Sequence, residues 1–174
     1  MGIVSLYIAT SLDGYIAGPN HEIDWLFTDQ DYGFAEFYAS VDAIVMGRKT
    51  YEVSLSFGEY PHSDKPNYVA TRSATFCARH AECARTLDEP FINQLRSAYA
   101  NKIWLLGGGE LVRLFQQRDW IDEYVIAIHP ILLGTGLPLF PGTGPTHHLE
   151  HKATKTFSSG LVQIFYSRQQ NQAA

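Results

Sequence analysis

The chain of 174 residues is poor in cysteine, with two, and in positive charge, with 13 basic residues against 18 acidic ones. Two cysteines cannot build the disulfide framework that is typical of small secreted proteins. The net charge of −5 provides no general positive field. We therefore do not expect nucleic acid as a partner, and any bound anion must be held by local groups.

The chain also lacks an apolar run of the length that a bilayer-spanning helix needs, so no membrane partner is expected. Its N-terminal segment has neither the basic region nor the small-residue cleavage site of a signal peptide, which makes cytoplasmic residence the expectation. No internal repeat is present. The length predicts a single domain over residues 1–168, followed by a polar tail over residues 169–174.

Metal-ligating side chains occur in two loose groups. Cys77, His80 and Cys83 have a spacing that matches no common zinc pattern, and we interpret both cysteines as reduced structural thiols. The second group consists of histidines at positions 147, 148 and 151, with no carboxylate at ligand spacing. We expect no metal site.

The periodicity of the apolar residues predicts strands that alternate with helices. The predicted strands are 3–10, 43–46, 68–71, 102–106 and 124–133, the last with a bulge or an edge position at Pro130. The predicted helices are 31–40, 49–55, 90–100 with Asp88 as N-cap, and 110–117. Turn residues predict a long loop over 11–24 and a closing hairpin over 157–167 that turns at Ser159 and Gly160. This order predicts an α/β domain whose largely parallel sheet ends in antiparallel strands.

The segments Met46–Glu52 and Leu105–Leu111 share one feature: each follows a short apolar strand and leads through glycine into a helix. Such a junction places unpaired backbone N–H groups and the positive end of a helix dipole at one spot, which suits phosphate. The first segment adds the cations Arg48 and Lys49. Two such junctions in one small chain indicate a ligand with several phosphates, and a dinucleotide is the natural candidate.

Five short segments together give a specific family signal because of their order along the chain, although each by itself is weak evidence. They are 11–17, 46–50, 69–72, 107–109 and 131–140. The first reads Ser-Leu-Asp-Gly-Tyr-Ile-Ala and the second Met-Gly-Arg-Lys-Thr. Together they resemble the dihydrofolate reductase superfamily. The closer resemblance is to the branch that contains the C-terminal reductase domain of the bifunctional riboflavin-biosynthesis deaminase–reductase. It spans residues 3 to about 168.

The resemblance implies a three-layer domain with a twisted, mostly parallel sheet, antiparallel C-terminal strands and helices on both faces. It also implies an NADPH-dependent oxidoreductase, with the cofactor across the strand ends. The implied cofactor-binding residues are Ala17, Gly47, Arg48, Lys49, Thr50, Thr71, Arg72, Gly107, Gly108, Gly109, Glu110 and Leu111. Arg48 and Arg72 can form forked hydrogen bonds with a 2′-phosphate, which would select NADPH over NADH. The Gly107–Gly108 peptide is implied to be cis.

Simpler roles are open for several of these residues. Arg48 can pair with Glu52 one helical turn away. The glycines at 107–109 can form an ordinary strand-to-helix turn. Asp13 and Gly14 suit turn chemistry better than a direct catalytic role.

On the acceptor side the resemblance points to Asp31 as a catalytic and substrate-binding acid, with Glu36 as an alternative one turn onward. Asp31 can equally be the N-cap of its helix. Trp25 occupies a place where these proteins often carry a tryptophan, and either substrate contact or core packing accounts for it. Folate reductases hold the substrate tail with an arginine, where this chain offers only Lys65. Dihydrofolate is therefore expected to be at most a poor substrate.

Three functions follow as hypotheses. The first is an NADPH-dependent reductase of a small heterocycle or a ribosylaminopyrimidine, similar to 5-amino-6-(5-phosphoribosylamino)uracil reductase of riboflavin biosynthesis. That phosphorylated substrate needs cationic groups, and the sequence assigns none to it. The second is dihydrofolate reductase, and the third is a non-catalytic NADPH-binding regulator. The apolar residues in 161–166 predict a homodimer, and the resemblance implies the same, because relatives in the riboflavin branch tend to be dimeric.

Overall fold

We describe the protein from a computed structural model that covers residues 1–142 and 144–169. The strands are β1 Ile3–Ser11, β2 Tyr15–Ala17, β3 Val41–Gly47, β4 Asn67–Ala70, β5 Glu82–Ala84, β6 Lys102–Gly107, β7 Glu123–His129, β8 Leu137–Pro138, β9 Leu149–Thr156 and β10 Val162–Arg168. The helices are α1 Phe34–Ala39, α2 Arg48–Leu55, α3 Glu89–Ala98 and α4 Gly109–Gln117. Of the predicted tail, residues 170–174 lie outside the described part.

Eight of the strands form one sheet in the order β5-β4-β3-β6-β1-β7-β10-β9. Every neighbouring pair from β5 to β7 is parallel. The last two pairs, β7 with β10 and β10 with β9, are antiparallel. The short strands β2 and β8 pair with each other in a separate small sheet. The predicted mixed sheet is confirmed.

Alternation along the central strands gives the sheet two apolar faces, because successive side chains point to opposite sides. On one face Val45 and Leu105 pack with α3 and α4. On the other face Met46 and Trp104 pack with α1 and α2. Helices therefore cover both faces, as the resemblance implied. Among the described residues no helix is both long and apolar enough to cross a membrane.

Four strands are absent from the sequence-based prediction. Strands β2, β5 and β8 have three residues or fewer, too short to show a period. Strand β9 is exposed at all eight positions and has no apolar face. The predicted turn at Ser159 and Gly160 is correct, but the first arm of the hairpin is β9 and lies before Phe157. The strand predicted over 124–133 ends at His129, directly before Pro130, which cannot donate to the ladder.

The first helix is shorter than the predicted 31–40 and begins only at Phe34. Tyr32 and Gly33 both have positive φ angles, of 53° and 80°, and this left-handed backbone cannot continue a helix. The third helix begins as predicted: Asp88 is its N-cap, and the carboxylate accepts a hydrogen bond from the Phe91 N–H at 3.0 Å.

The apolar residues behind the predicted homodimer lie on and beside β10. Leu161 is buried, whereas Val162, Ile164, Phe165 and Tyr166 are half-buried. Strand β9 forms the edge of the sheet beside them and carries Lys152 and Lys155. Charged side chains on an edge strand discourage further strand pairing. The homodimer stays a prediction.

Candidate active site

The two glycine junctions meet in space because β3 and β6 are neighbouring parallel strands, with Met46 opposite Gly107. Helix α2 begins directly after Gly47 and helix α4 directly after Gly108. Neither helix start has a side-chain cap. A Cβ atom added to Gly47 would lie 3.6 Å from the Gly107 carbonyl oxygen. Two helix N-termini therefore open side by side, and their first N–H groups can receive an anionic ligand.

The glycine loop between β6 and α4 is packed too closely for side chains. The Gly107–Gly108 peptide is cis, as the resemblance implied, and Gly107 has a positive φ of 115°. A Cβ atom on Gly109 would collide with the Pro138 carbonyl oxygen. Strand β8 thus rests directly on the loop and keeps it in place.

Asp13 holds the small sheet against this loop. Its carboxylate accepts hydrogen bonds from the Leu133 N–H at 3.1 Å, the Gly134 N–H at 2.8 Å and the Ser11 hydroxyl at 2.6 Å. These bonds, the one from Ser11 most of all, lower the pKa of the Asp13 carboxyl group. The side chain joins the β1–β2 turn to the segment after β7, which agrees with the structural role considered for it.

A cavity of about 760 Å³ opens in front of the two helix N-termini. The predicted cofactor-binding residues that line it are Ala17, Gly47, Arg48, Lys49, Thr50, Thr71, Arg72, Gly108, Gly109, Glu110 and Leu111. Gly107 lies just behind this lining, at the end of β6. The cavity volume falls within the range of ordinary small-molecule sites. The tertiary structure therefore gathers segments that are up to 94 positions apart in the sequence, from Ala17 to Leu111.

The positive charges of this cavity are confined to one end, which we call the cationic end: Arg48, Lys49 and Arg72. Arg48 pairs with Glu52 at 3.5 Å, as the simpler interpretation predicts, and its guanidinium lies 5.7 Å from the centre of the Phe76 ring. Both partners of the ion pair are 42% exposed, so the pair is weak and leaves guanidinium N–H groups for a ligand. Arg72 makes no hydrogen bond or ion pair with any described residue.

Asp31 and Trp25, predicted on the acceptor side, do not line the cavity. Asp31 is exposed, and its carboxylate accepts a hydrogen bond from the Ala35 N–H at 2.9 Å in the first turn of α1. The N-cap of α1 is Gly33, so the prediction of Asp31 as N-cap is wrong, although its carboxylate bonds the first turn from two residues upstream. The alternative acid Glu36 is also exposed and outside the cavity. Trp25 packs edge-on against His129 at 5.2 Å, which fits a packing role.

The far side of the cavity, which we call the acceptor end, is formed mostly by residues outside the sequence motifs. They are Tyr7, Phe57, Pro61, His62 and Trp104, together with Leu106 from the segment Leu105–Leu111. The Trp104 indole N–H donates to the Tyr7 carbonyl oxygen at 2.9 Å, so β1 and β6 hold these two rings together. Period-2 alternation indicates that Tyr7 and Trp104 face one side of the sheet, but it says nothing of His62, which lies in the loop after α2.

Metal ligands are not assembled anywhere in the described part of the chain, where no group of three or more Cys, His, Asp or Glu side chains can hold an ion. Cys77 is exposed, and the half-buried Cys83 thiol donates to the Phe76 carbonyl oxygen at 3.5 Å. His147 instead lies 3.3 Å from Asp119.

His129 supports the segment that carries the cavity residues Ile23 and Leu26. Its Nε2 accepts a hydrogen bond from the Phe27 N–H at 3.2 Å, so the neutral tautomer carries its proton on Nδ1, which lies 3.3 Å from the Ala127 carbonyl oxygen. Burial lowers the pKa of His129, because the charged form loses its hydration. Protonation of Nε2 would remove the bond to Phe27.

Comparison with known proteins gives matches over nearly the whole chain. A family model described as the RibD C-terminal domain matches residues 3–163. Protein YwjB of Bacillus subtilis (strain 168) is 39% identical over 168 residues, which cover 94% of this chain and 96% of that protein.

Two solved structures show the same architecture. A protein from Shewanella sp. PV-4, named for riboflavin biosynthesis, has a TM-score of 0.87 and 31% identity over 97% of this chain and 99% of that one. Dihydrofolate reductase from Enterococcus faecalis, complexed with NADP(H), has a TM-score of 0.73 and 16% identity over 97% of this chain and 98% of that one. The dihydrofolate reductase-like fold is therefore confirmed.

Gly109→Ala tests the close contact between the glycine loop and β8. Because the new Cβ would collide with the Pro138 carbonyl, the loop or β8 must move, and we expect a loss of about 1–3 kcal/mol in the free energy of unfolding. Urea denaturation measures it. Gly144→Ala is the matched control, since its Cβ would have no neighbour closer than 3.8 Å. Equal stability of the two variants would show that the contact is not tight.

His129→Gln tests the pH dependence of the loop support. The folded state binds fewer protons than the unfolded state between the lowered pKa of His129 and its ordinary value of about 6.5, so stability falls as the pH drops through this window. We expect the variant to reduce this dependence by at most about 1.4 kcal/mol per pH unit. Urea denaturation at several pH values measures it. His151→Gln, at an exposed position on β9, is the control; an unchanged slope in His129→Gln would contradict the prediction.

Proposed function

The chain belongs to the RibD C-terminal domain family, and from this premise we propose that it is an NADPH-dependent reductase of a small heterocyclic acceptor. The observation that carries the proposal is the meeting of two uncapped helix N-termini beside Arg48 and Arg72 in one cavity. The bound NADP(H) of the Enterococcus faecalis enzyme, which has the same fold, supports the choice of cofactor.

The residues of the cavity fit a dinucleotide phosphate by their chemistry. The N–H groups at the starts of α2 and α4 would hold the pyrophosphate, since no side chain of the protein caps them. Gly108 and Gly109 leave room for close approach of that group to the backbone. Arg48 and Arg72 would bind the 2′-phosphate by charge-assisted hydrogen bonds.

The protein has to align the nicotinamide ring of the cofactor with the ring of the acceptor and to keep water out of the cavity. When bound, reduced nicotinamide supplies a hydride. Ile16 and Ala17, held over the glycine loop by the small sheet, would position its ring. Tyr7, Trp104 and Leu106 would orient the acceptor ring and exclude water from the site.

Dihydrofolate is disfavoured as the acceptor by two positions. Near the place of the folate-tail arginine the chain has Lys65, whose ammonium lies 4.6 Å from the centre of the Tyr38 ring and does not line the cavity. Asp31 also lies outside the cavity, and no described acid is among the residues that line its acceptor end. The cavity continues from the cationic end to the acceptor end. This favours a catalytic reductase over a non-catalytic regulator, because a regulator that only binds NADPH needs the cationic end but no acceptor end.

Arg72→Gln tests the cofactor assignment. We expect the unchanged protein to bind NADPH at least about 10-fold more tightly than NADH, since one charge-assisted contact contributes roughly 1.5–3 kcal/mol. The variant should lose most of that preference and keep its affinity for NADH, as measured by calorimetry. Arg79→Gln, a nearby exposed arginine outside the cavity, is the control. Equal affinities for NADPH and NADH in the unchanged protein would remove this role from both arginines.

An NADPH oxidation assay tests the reaction. We run the aminopyrimidine intermediate of riboflavin biosynthesis, its dephosphorylated form, dihydrofolate and no acceptor in parallel. We expect dihydrofolate to be at least about 10-fold slower than the better pyrimidine, because it lacks a charge-assisted contact for its tail. Efficient turnover of micromolar dihydrofolate would make folate reduction the function. No turnover with any acceptor, despite NADPH binding, would favour the regulatory alternative.

A further inference from the structure

The acceptor end lies away from the positive charges of the cavity. Arg48 and Lys49 open α2, whereas Phe57, Pro61 and His62 follow its C-terminal end. The loop after α2 turns back along the helix, since the Tyr60 ring lies 5.5 Å from the Tyr51 ring. The separation is set by the sheet, where Trp104, against which His62 packs, lies opposite Ile44. Ile44 is three residues, or about 10 Å along β3, before Gly47, after which the cations of α2 begin.

No other described cation replaces them at the acceptor end. Arg72, the remaining cation of the cavity lining, follows β4 at the cationic end, and Lys65, whose ammonium lies 4.6 Å from the centre of the Tyr38 ring, does not line the cavity. Burial lowers the pKa of His62, so its imidazole is neutral near pH 7. A phosphate dianion at the acceptor end would lose hydration without gaining an ion pair.

The walls of the acceptor end are flat and fixed in place. Tyr7 stacks on Phe37 with ring centres 4.2 Å apart, and its hydroxyl accepts a hydrogen bond from the Gln163 amide at 3.0 Å. Trp104 is only 4% exposed and meets the Tyr7 ring edge-on. Rigid aromatic walls of this kind suit a planar ring, which can stack on one and meet the edge of another.

His62 is the polar group of this surface without a partner. It is only 9% exposed, and its ring packs edge-on against Trp104 at 5.3 Å. Its buried Nδ1 has no hydrogen-bond partner among the described residues. The backbone beneath it is held, because the His62 carbonyl oxygen accepts a bond from the Asn67 amide at 2.8 Å. Nε2 also has no hydrogen-bond partner among the described residues and, unlike Nδ1, is not enclosed by protein, so it is the ring nitrogen that can bond a ligand in the cavity.

We propose that the acceptor end binds a planar heterocycle that carries no phosphate group, and that His62 forms the hydrogen bond that orients it. The proposal rests on the proposed function and narrows its substrate class. A dephosphorylated aminopyrimidine meets the requirement, whereas the phosphoribosyl compound does not. The acceptor must then come from a reaction that releases phosphate or from one that never attaches it.

Calorimetry on the protein loaded with NADP+ tests the proposal with two probes, 5-amino-6-ribosylaminouracil and its 5′-phosphate. We expect the unphosphorylated probe to bind at least as tightly as the phosphate. His62→Phe keeps the aromatic packing and removes the hydrogen bond, so it should weaken binding of the unphosphorylated probe about 10-fold. His62→Gln, which restores a donor and an acceptor, should recover part of that loss.

His80→Phe is the matched control, because His80 stacks on Tyr60 at 5.1 Å but is exposed and outside the cavity. Unchanged NADP+ affinity shows that each variant is folded, and His62→Leu, which also removes the hydrogen bond, takes the place of His62→Phe if that variant fails this check. The proposal is overturned if the phosphate binds at least 5-fold more tightly than the unphosphorylated probe, or if neither probe binds at millimolar concentration. A loss within twofold in the folded variant that lacks the hydrogen bond overturns it as well. Failure of NADP+ itself to bind would instead refute the proposed function.

Discussion

The structure depends on one constraint, which is the close approach of backbone where β3 and β6 end side by side. Met46 lies opposite Gly107 in the sheet, and each strand passes through glycine into a helix whose first N–H groups have no side-chain cap. An added Cβ atom at Gly109 would meet the Pro138 carbonyl oxygen, so β8 and its partner β2 can sit directly on this junction. The cavity, its cationic end and the small sheet above it all follow from that contact.

Charge divides the cavity into two parts with different chemistry. At the cationic end, exposed arginines and helix N-termini can hold phosphate because solvent and dipoles already stabilise charge there. At the acceptor end, burial lowers the pKa of His62, and aromatic rings replace water. A ligand that is anionic at one end and uncharged and flat at the other fits this division. In the proposed reaction, the phosphorylated dinucleotide is the anionic part and the heterocycle is the flat, uncharged part. The proposed function and the proposed substrate class therefore support each other.

Residues that never touch the cavity keep its parts in register. Asp13 joins the β1–β2 turn to the segment after β7 through hydrogen bonds to Leu133 and Gly134. His129 accepts a bond from Phe27 and so supports the loop that brings Leu26 to the cavity. Both side chains act on backbone more than 100 positions away in the sequence. Changes at such positions would alter the shape of the site without removing any ligand contact.

The sequence by itself determined the central strands, the helices that follow them and the two glycine junctions, because period-2 alternation, glycine placement and caps such as Asp88 are local properties. It did not reveal β5 or β9, which are too short or too polar to show a period. The resemblance pointed to Asp31 as an acid of the site, with a helix cap as an equal alternative, whereas the left-handed backbone at Tyr32 and Gly33 leaves its carboxylate bonded at the start of α1. Only the tertiary structure decided that His62 and Tyr7, 55 positions apart, share one wall with Trp104, since nothing local in a chain specifies which distant segments will pack together.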